Sequence, residues 1–387
     1  MIRKIADAVV TYIQSADKIL WALTISASVF GLMLISSMQR AGDYNFLRSQ
    51  TIAIFLGYIG AIIISAIDYR TLLKYWWIAA GVSLVLTLLV FPFGIQVAGT
   101  DDTAWLRLPG GLSFQPSELT KICFIVTFAK HLSFLEERGA LKTFPALLGL
   151  MCHMGIPALL IHFQGDDGTV LIFFLMFLIL IFFAGIQLRY FFVMLCGVLA
   201  GVPLLWTKFL NNEHRNRILV LFDLDENSLT NYGWQQYQGK VSIASGGLKG
   251  HGLYDGPRVS TGIVPEQEND FILTVCGEEL GFIGCLLILA ILFGLIIKCL
   301  LNVRLIEENS GRYICMGFFA LLLAQTTINI GMVLGFLPVI GITLPFFSSG
   351  GTSAMCLYLG IGLVQNVYIH RKNDNDMTLH INKFKMS

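Results

Sequence analysis

Ten long apolar stretches run through this chain, and no other feature restricts its fold so tightly. Crossing a bilayer as a helix takes about twenty apolar residues. The candidates are Ile19–Met38, Thr51–Ile67, Tyr75–Phe93, Leu119–Leu132, Phe144–Phe163, Val170–Ile186, Phe191–Leu210, Phe271–Leu301, Tyr313–Leu337 and Thr352–His370. Leu119–Leu132 is the shortest unless it reaches back to Pro116, and it carries Lys121. The runs are unbroken where barrel strands would alternate over about ten residues. The fold class is therefore an all-α polytopic membrane protein of about ten transmembrane helices, with one long extracellular loop between spans 7 and 8. The whole chain, 1–387, reads as one membrane domain, with a loop over about 211–270 and a polar, mobile tail over about 371–387.

Composition agrees, because only 13% of the residues are charged where a soluble chain carries about 25%. Lys and Arg set the orientation. With the N-terminus cytoplasmic, sixteen of the 26 fall on that side, while Arg40, Arg48 and Arg107 occupy short loops opposite. Both termini are therefore expected inside and the long loop outside. The first apolar run has no small-residue cleavage site after it and reads as an anchor. The eight cysteines lie in or beside apolar segments without C-x-x-C spacing, which suits packing better than metal binding. No basic tail or aromatic–basic motif points to nucleic acid, and no phosphate-binding loop points to ATP chemistry.

Ionisable groups in or beside spans are costly and mark candidate function. Gln115-Pro116-Ser117-Glu118 opens the fourth span as a helix start would, and Glu118 and Lys121, three apart, share a face. They read either as a capped start with an internal ion pair or as a lysine facing a polar cavity. Asp166 and Asp167, in the turn Gln164–Thr169, read as a helix cap or a polar site. In the long loop, Tyr232–Lys240 has aromatic and amide character. The glycines after Ser245 let amides converge on an anion, with Lys240, Lys249 and His251 adding charge. Asp270 is either the cap of the eighth span or, with Glu266, Glu268 and Glu278 near it, a carboxylate of raised proton affinity suited to general-base work. Gln325–Ser353 is interrupted by proline and glycine and carries no charge in its loop, as expected of a broken segment lining a cavity.

Taken together, these motifs resemble the SEDS family of RodA, FtsW and SpoVE. The resemblance rests on Gln115-Pro116-Ser117-Glu118, on Gln164, Asp166, Gly168 and Thr169, and on Ser245-Gly246-Gly247. It continues through Pro265, Glu266, Asp270 and Phe271, then Glu278, Glu279, Gly281 and Phe282, and ends with Asn329–Met332 and Leu344–Gly351. Gly31–Ser37 is similar to the family's first-span motif, so the match covers nearly the whole chain.

The resemblance implies a multi-pass plasma-membrane peptidoglycan polymerase serving cell elongation, division or sporulation. It would join disaccharide units of lipid II with inversion, release undecaprenyl pyrophosphate, and work beside a class B penicillin-binding protein. Asp270 then matches the essential loop aspartate, the general base for the acceptor hydroxyl. Glu118 and Lys121 match the polar pair of the fourth span, and Asp270 is expected to face them across a cavity. Trp105, Gln115, Asp166, Lys240, Ser245, Gly246, Gly247, Glu266, Glu279, Asn329 and Ser348 are the remaining substrate-binding candidates. No cofactor is required from the sequence and no residue is assigned to metal; a divalent cation, Mg or Mn, would suit the departing pyrophosphate. Departures from the family pattern are Ala104, Gly165, Asp167, Glu268-Asn269 and Ser349. Two other classes compete. One is a flippase or ion-coupled carrier built on Glu118, Lys121, Asp166 and Glu279, and the other is a non-catalytic scaffold for a transpeptidase.

Overall fold

The helices start where short polar residues meet the apolar runs. The computed structural model describes residues 10–38, 46–96, 102–107, 113–204, 206–207, 212–222 and 233–371. Arg40, Asn211, Tyr232 and the tail from Lys372 onward lie outside the described residues. The helices are α1 (Lys18–Met38), α2 (Phe46–Ala66), α3 (Tyr69–Lys74), α4 (Trp76–Phe93), α5 (Pro116–Glu137), α6 (Phe144–His162), α7 (Asp167–Phe183) and α8 (Leu188–Leu204). After them come α9 (Asn212–Leu219), α10 (Trp234–Ser245), α11 (Pro257–Thr261), α12 (Ile272–Arg304), α13 (Asn309–Val333) and α14 (Gly351–Ile369).

Apolar helices occupy all ten expected segments. Among the described residues seven are long and apolar enough to cross a membrane, while α7 and α8 are apolar but have 17 residues each. Helix α5 is longer than its apolar stretch, with 22 residues. Pro116 supplies the fixed φ of a first turn and Glu118 its negative charge. A turn of charged residues, Glu136 and Glu137, extends it at the far end.

Helices α13 and α14 are the most buried and form the centre of the bundle. Small residues bring α2 and α14 together: a side chain at Gly57 would strike the Tyr358 ring, and one at Gly362 would meet the Ala61 backbone at 2.7 Å. Close backbone approach through small residues is how helices pack where no hydrophobic effect drives them. Asp17 caps α1, pairs with Lys298 on α12 at 3.0 Å and accepts from Asn302 at 3.0 Å, which joins the helix ends opposite the long loop. Helix α8 buries no residue, and α4 buries only Thr87 and Val90; their apolar side chains face outward, as helices against lipid do.

Three features depart from the sequence expectation. A short antiparallel sheet stands between α4 and α5, with strands β1 (Gly94–Ile95), β2 (Trp105–Arg107) and β3 (Ser113–Phe114) in the order β1-β2-β3. The long loop carries three helices, α9, α10 and α11, among its described residues. The eighth span is broken at Gly281, whose φ of 66° and ψ of −160° no other residue type adopts readily. The loop after α10 mends that break. Amides of His251 and Gly252 donate to the carbonyls of Glu278 and Glu279 at 3.0 and 2.9 Å, and Phe282 and Ile283 donate back to Gly247 and Leu248 at 2.9 and 3.2 Å. Backbone groups that a helix break would leave unpaired are thereby satisfied.

Candidate active site

The turn that ends the long loop is held by its backbone. Glu266, at a positive φ of 54°, accepts from the amides of Asn269 and Phe271 at 3.1 and 3.2 Å. Gln235 donates to Pro265 O at 2.8 Å, and the Ser349 amide to Glu268 O at 2.7 Å. The Ser348 hydroxyl donates to Asn269 O at 2.5 Å, and Asn329 Nδ2 to both Asp270 O at 2.8 Å and Ile342 O at 2.6 Å. Carbonyls along the turn are thus tied to α10, α13 and the segment after α13, which fixes Asp270 without engaging its carboxyl.

That carboxyl does not cap the following helix. The capping position belongs to Phe271, and no side chain bonds the first turn there. Among the described residues no cation pairs with Asp270. Its Oδ2 lies 3.7 Å from where a side chain at Gly341 would begin, so the 340–342 segment is a direct neighbour of the carboxyl. Protein surrounds the group on most sides, yet it keeps some accessible surface. Burial, and then the charges of Glu266 and Glu268, push its pKa from 3.8 up to about 7. Glu268 is pushed up as well, by burial and by Glu266. A base tuned near neutral pH is the condition that general-base catalysis favours.

A second polar group abuts the same wall. Asp166 caps α7 by accepting from the Thr169 amide at 2.9 Å, and its other oxygen accepts from Gln115 Nε2 and Ser117 Oγ, both at 2.9 Å. This ties the start of α5 to the start of α7. A side chain at Gly168 would come 2.4 Å from Ile340 O, so the start of α7 lies directly against the 340–342 segment beside Asp270. Trp105 stands half-buried in β2, whose next residue, Leu106, pairs with Phe114 just before Gln115.

Several expected residues sit elsewhere. Lys121 is bonded to Glu118 at 2.8 Å with only 1% of its side chain exposed, so the pair is a closed internal ion pair and not the far wall of an open cavity. Burial of a charge demands its partner, and the partner here is its own helix neighbour three residues back. The glycines after Ser245 pack rather than gather amides. A side chain at Gly246 would lie 1.9 Å from Gly277 O, and one at Gly250 would lie 2.1 Å from Glu279 O. Glu279 is buried at the break, with Ser37, Tyr254 and Gly256 as neighbours. Lys240 lies over Gly335, at the other end of the 335–341 segment from Asp270.

Three contributors escaped the sequence reading. Gln236 donates to Met332 O and Leu337 O at 2.8 and 2.7 Å, and Arg217 donates to Val339 O at 3.2 Å. Arg258 bonds Ser242 Oγ at 2.9 Å and Gln238, while its amide donates to Glu278 Oε1 at 2.6 Å. Gln236 and Lys240, four apart on α10, were findable as one helical face; nothing local marks Arg217. Among the described residues no three His, Cys, Asp or Glu side chains converge as metal ligands. A cavity at the opposite end of the bundle, lined by Tyr69, Arg70, Ile306, Glu307, Glu308 and Arg371, lies away from all of these groups.

Such an arrangement, a polytopic helical bundle with a turn-held acid at the loop-side end of a broken span, defines a polytopic membrane protein with a backbone-anchored carboxyl beside its long loop. The family model described as a cell cycle protein, FTSW_RODA_SPOVE, matches residues 15–373, and the chain belongs to this family, the SEDS proteins. The probable peptidoglycan glycosyltransferase FtsW of Geobacter sulfurreducens is 32% identical over 363 residues, covering 92% of this chain and 95% of that one. The peptidoglycan glycosyltransferase MrdB of Escherichia coli is 34% identical over 291 residues, covering 75% of this chain and 77% of that one. A chain from the structure titled "Structural coordination of polymerization and crosslinking by a peptidoglycan synthase complex" superposes with a TM-score of 0.75 at 27% identity, over 93% of this chain and 99% of that chain.

Proposed function

We propose that this protein is a peptidoglycan glycosyltransferase that polymerises lipid II on the outer face of the plasma membrane. The observation that carries the reading is the Asp270 carboxyl, which does not cap the following helix, pairs with no cation among the described residues and has its proton affinity raised to the neutral range. The names of the similar proteins and the family membership support it.

In this reading the acceptor's sugar hydroxyl approaches Asp270 and gives its proton to the carboxylate. The hydroxyl oxygen then attacks the anomeric carbon of the donor from the face opposite its phosphate. A carbon–oxygen bond forms, the bond to the pyrophosphate breaks, and the electron pair leaves with undecaprenyl pyrophosphate. One displacement inverts the anomeric centre, turning an α-linked donor into a β-linked glycan. Asn329 and Ser348 hold the backbone of Asp270 and Asn269 and so fix the base, a matter on which rate depends steeply. Gln115, Asp166 and Trp105 form the neighbouring wall for the sugar. Glu266 raises the affinity of the base for a proton. Among the described residues no three His, Cys, Asp or Glu side chains converge as metal ligands, and a divalent ion carried by the donor's pyrophosphate and one or two carboxylates is compatible with this course.

The whole chain acts as one membrane domain, with both termini cytoplasmic, as the distribution of Lys and Arg supports. A class B penicillin-binding transpeptidase is its partner, and the likeness to a chain of a peptidoglycan synthase complex supports that pairing. The test is reconstitution of the purified protein with such a partner and fluorescent lipid II. Glycan strands resolved by gel are the expected product. Lipid II translocation in sealed vesicles without any polymer would overturn the reading in favour of transport.

A further inference from the structure

The cavity at the end of the bundle opposite the long loop carries charges that the glycosyl transfer does not use. It measures about 310 Å³, within the range of about 300–1,000 Å³ that small-ligand pockets occupy. Two guanidiniums line it. Arg70 donates through Nε to Glu308 Oε2 at 2.7 Å, and through Nη1 to Asp68 Oδ2 and His370 O, both at 3.3 Å. Its Nη2 bonds nothing among the described residues. The bond to His370 O sets Arg70 against the backbone beside Arg371. Arg371 lies over the Tyr368 ring at 3.6 Å and gives Nη1 to Tyr368 O at 2.8 Å, and its remaining donors bond no described residue. The acids differ from each other. Glu308 is committed on both oxygens, Oε1 to Ser310 at 2.7 Å and Oε2 to Tyr69 and Arg70 at 2.8 and 2.7 Å. Glu307, exposed in the same lining, bonds no described residue. Tyr75, Trp76 and Trp77 stand exposed directly after α3, and aromatic side chains so placed mark the level of lipid headgroups. Exposed Ile59, Ile63 and Ile67, spaced by four, lead along and just past α2 to Asp68.

We propose that this cavity binds the headgroup of phosphatidylethanolamine, drawn from the leaflet opposite the long loop, which the distribution of Lys and Arg makes the inner one. The phosphate sits on Arg371 and on Nη2 of Arg70, and the ammonium on Glu307. A planar guanidinium fork matches two phosphate oxygens at once. Stacked on Tyr368, the Arg371 fork is already held and gives up less freedom on binding. The carboxylates choose the headgroup. Asp68, Glu307 and Glu308 outnumber the two guanidiniums, so a purely anionic headgroup would meet like charge and leave Glu307 without a partner. A phosphate joined by a short arm to an ammonium satisfies both signs together. A choline headgroup fails at Glu307, because its methylated nitrogen has no N–H to donate. The bound headgroup bridges α3, the turn between α12 and α13 and the end of α14, with the exposed isoleucines of α2 as a track for an acyl chain.

The experiment titrates the full-length, detergent-purified protein with phosphatidylethanolamine, phosphatidylglycerol and phosphatidylcholine of the same acyl chains, and with soluble phosphoethanolamine, by native mass spectrometry. The wild type should bind phosphatidylethanolamine about tenfold tighter than the other two lipids, and soluble phosphoethanolamine far more weakly. Arg371→Ala should weaken phosphatidylethanolamine about tenfold to a hundredfold, the ratio that a charge-assisted hydrogen bond is worth, and Arg371→Lys should recover part of the loss. Glu307→Gln should bind phosphatidylglycerol and phosphatidylethanolamine alike, a change of preference that a loss of folding does not produce. Thermal unfolding should show phosphatidylethanolamine raising the melting temperature of the wild type and not of Arg371→Ala. Equal binding of phosphatidylglycerol by the wild type, unchanged binding by Arg371→Ala, or an unchanged preference in Glu307→Gln would overturn the assignment. Soluble phosphoethanolamine binding as tightly as the lipid would overturn the lipid as its source. Asp270→Asn should bind phosphatidylethanolamine as the wild type does, so this proposal and the glycosyltransferase reading stand or fall separately.

Discussion

Replacing Asp270 by asparagine should make the protein more stable at alkaline pH. Moving a carboxyl from 3.8 to about 7 by folding corresponds to about 4 kcal/mol between the two protonation states. The group keeps some accessible surface, so solvent screening cuts the working figure to roughly half. Between about pH 4 and 7 the folded protein holds a proton that the unfolded chain has released, so stability falls as pH rises through that window, and the cost is fully present above it. Asparagine has no charge to bury. Taken from pH 8 to pH 5, the wild type should therefore gain about 1–3 kcal/mol relative to Asp270→Asn, and the melting temperatures should converge by a few degrees. A thiol-reactive dye suits the assay, because Cys276, Cys299, Cys315 and Cys356 are buried until the helices separate, and early labelling of exposed Cys152 and Cys196 sets the baseline. Glu268→Gln, by removing a neighbouring charge, should lower the Asp270 pKa and shift the wild-type curve toward lower pH. Parallel curves for wild type and Asp270→Asn from pH 5 to 8 would refute the view that this carboxyl is held in a desolvated, acid-rich site.

The other predictions concern the frame. Lys121→Met strands the Glu118 charge in the bundle and should cost about 3–5 kcal/mol, most of it recovered when Glu118→Gln is added; detergent melting curves of the single and double variants check it. Gly281→Ala forces a Cβ to within 2.4 Å of Gly250 N at a φ of 66° and should abolish folded yield, whereas Gly185→Ala, at a φ of 77° with open space around it, should only lower the melting temperature. Asn329→Ala leaves the carbonyls of Asp270 and Ile342 without their donor and should lower kcat with little change in donor KM, since it loosens the base rather than the substrate; initial rates over a range of lipid II concentrations decide this.

Much of the architecture was legible because lipid imposes length and apolarity on every span. Ten apolar segments became ten helices, and Pro116 marked where α5 begins. Charge obscured the rest of α5, whose last turn is polar and belongs to no apolar window. The small sheet of Trp105–Arg107 and its neighbours was invisible, since two- and three-residue strands carry no periodicity. At the site, Asp270, Asn329 and Ser348 were named from the chain and are joined in one hydrogen-bonded turn. The break at Gly281 lay hidden within a long span, because the bonds that repair it come from residues some thirty positions earlier. Glycines 246 and 250 looked like an anion cradle for the same reason: a glycine that admits a ligand and one that admits another backbone look identical in sequence. Arg217 was missed because Val339 O, a carbonyl it bonds, is a backbone atom more than a hundred residues away.

The role of Asp270 is tested most directly by polymerisation of lipid II with the purified protein and its transpeptidase, comparing wild type with Asp270→Asn. The account predicts strands from the wild type, with a rate that climbs as pH passes about 7. From the variant it predicts a rate lower by about a hundredfold or more with undecaprenyl pyrophosphate binding intact. Polymerisation by Asp270→Asn near the wild-type rate would contradict it.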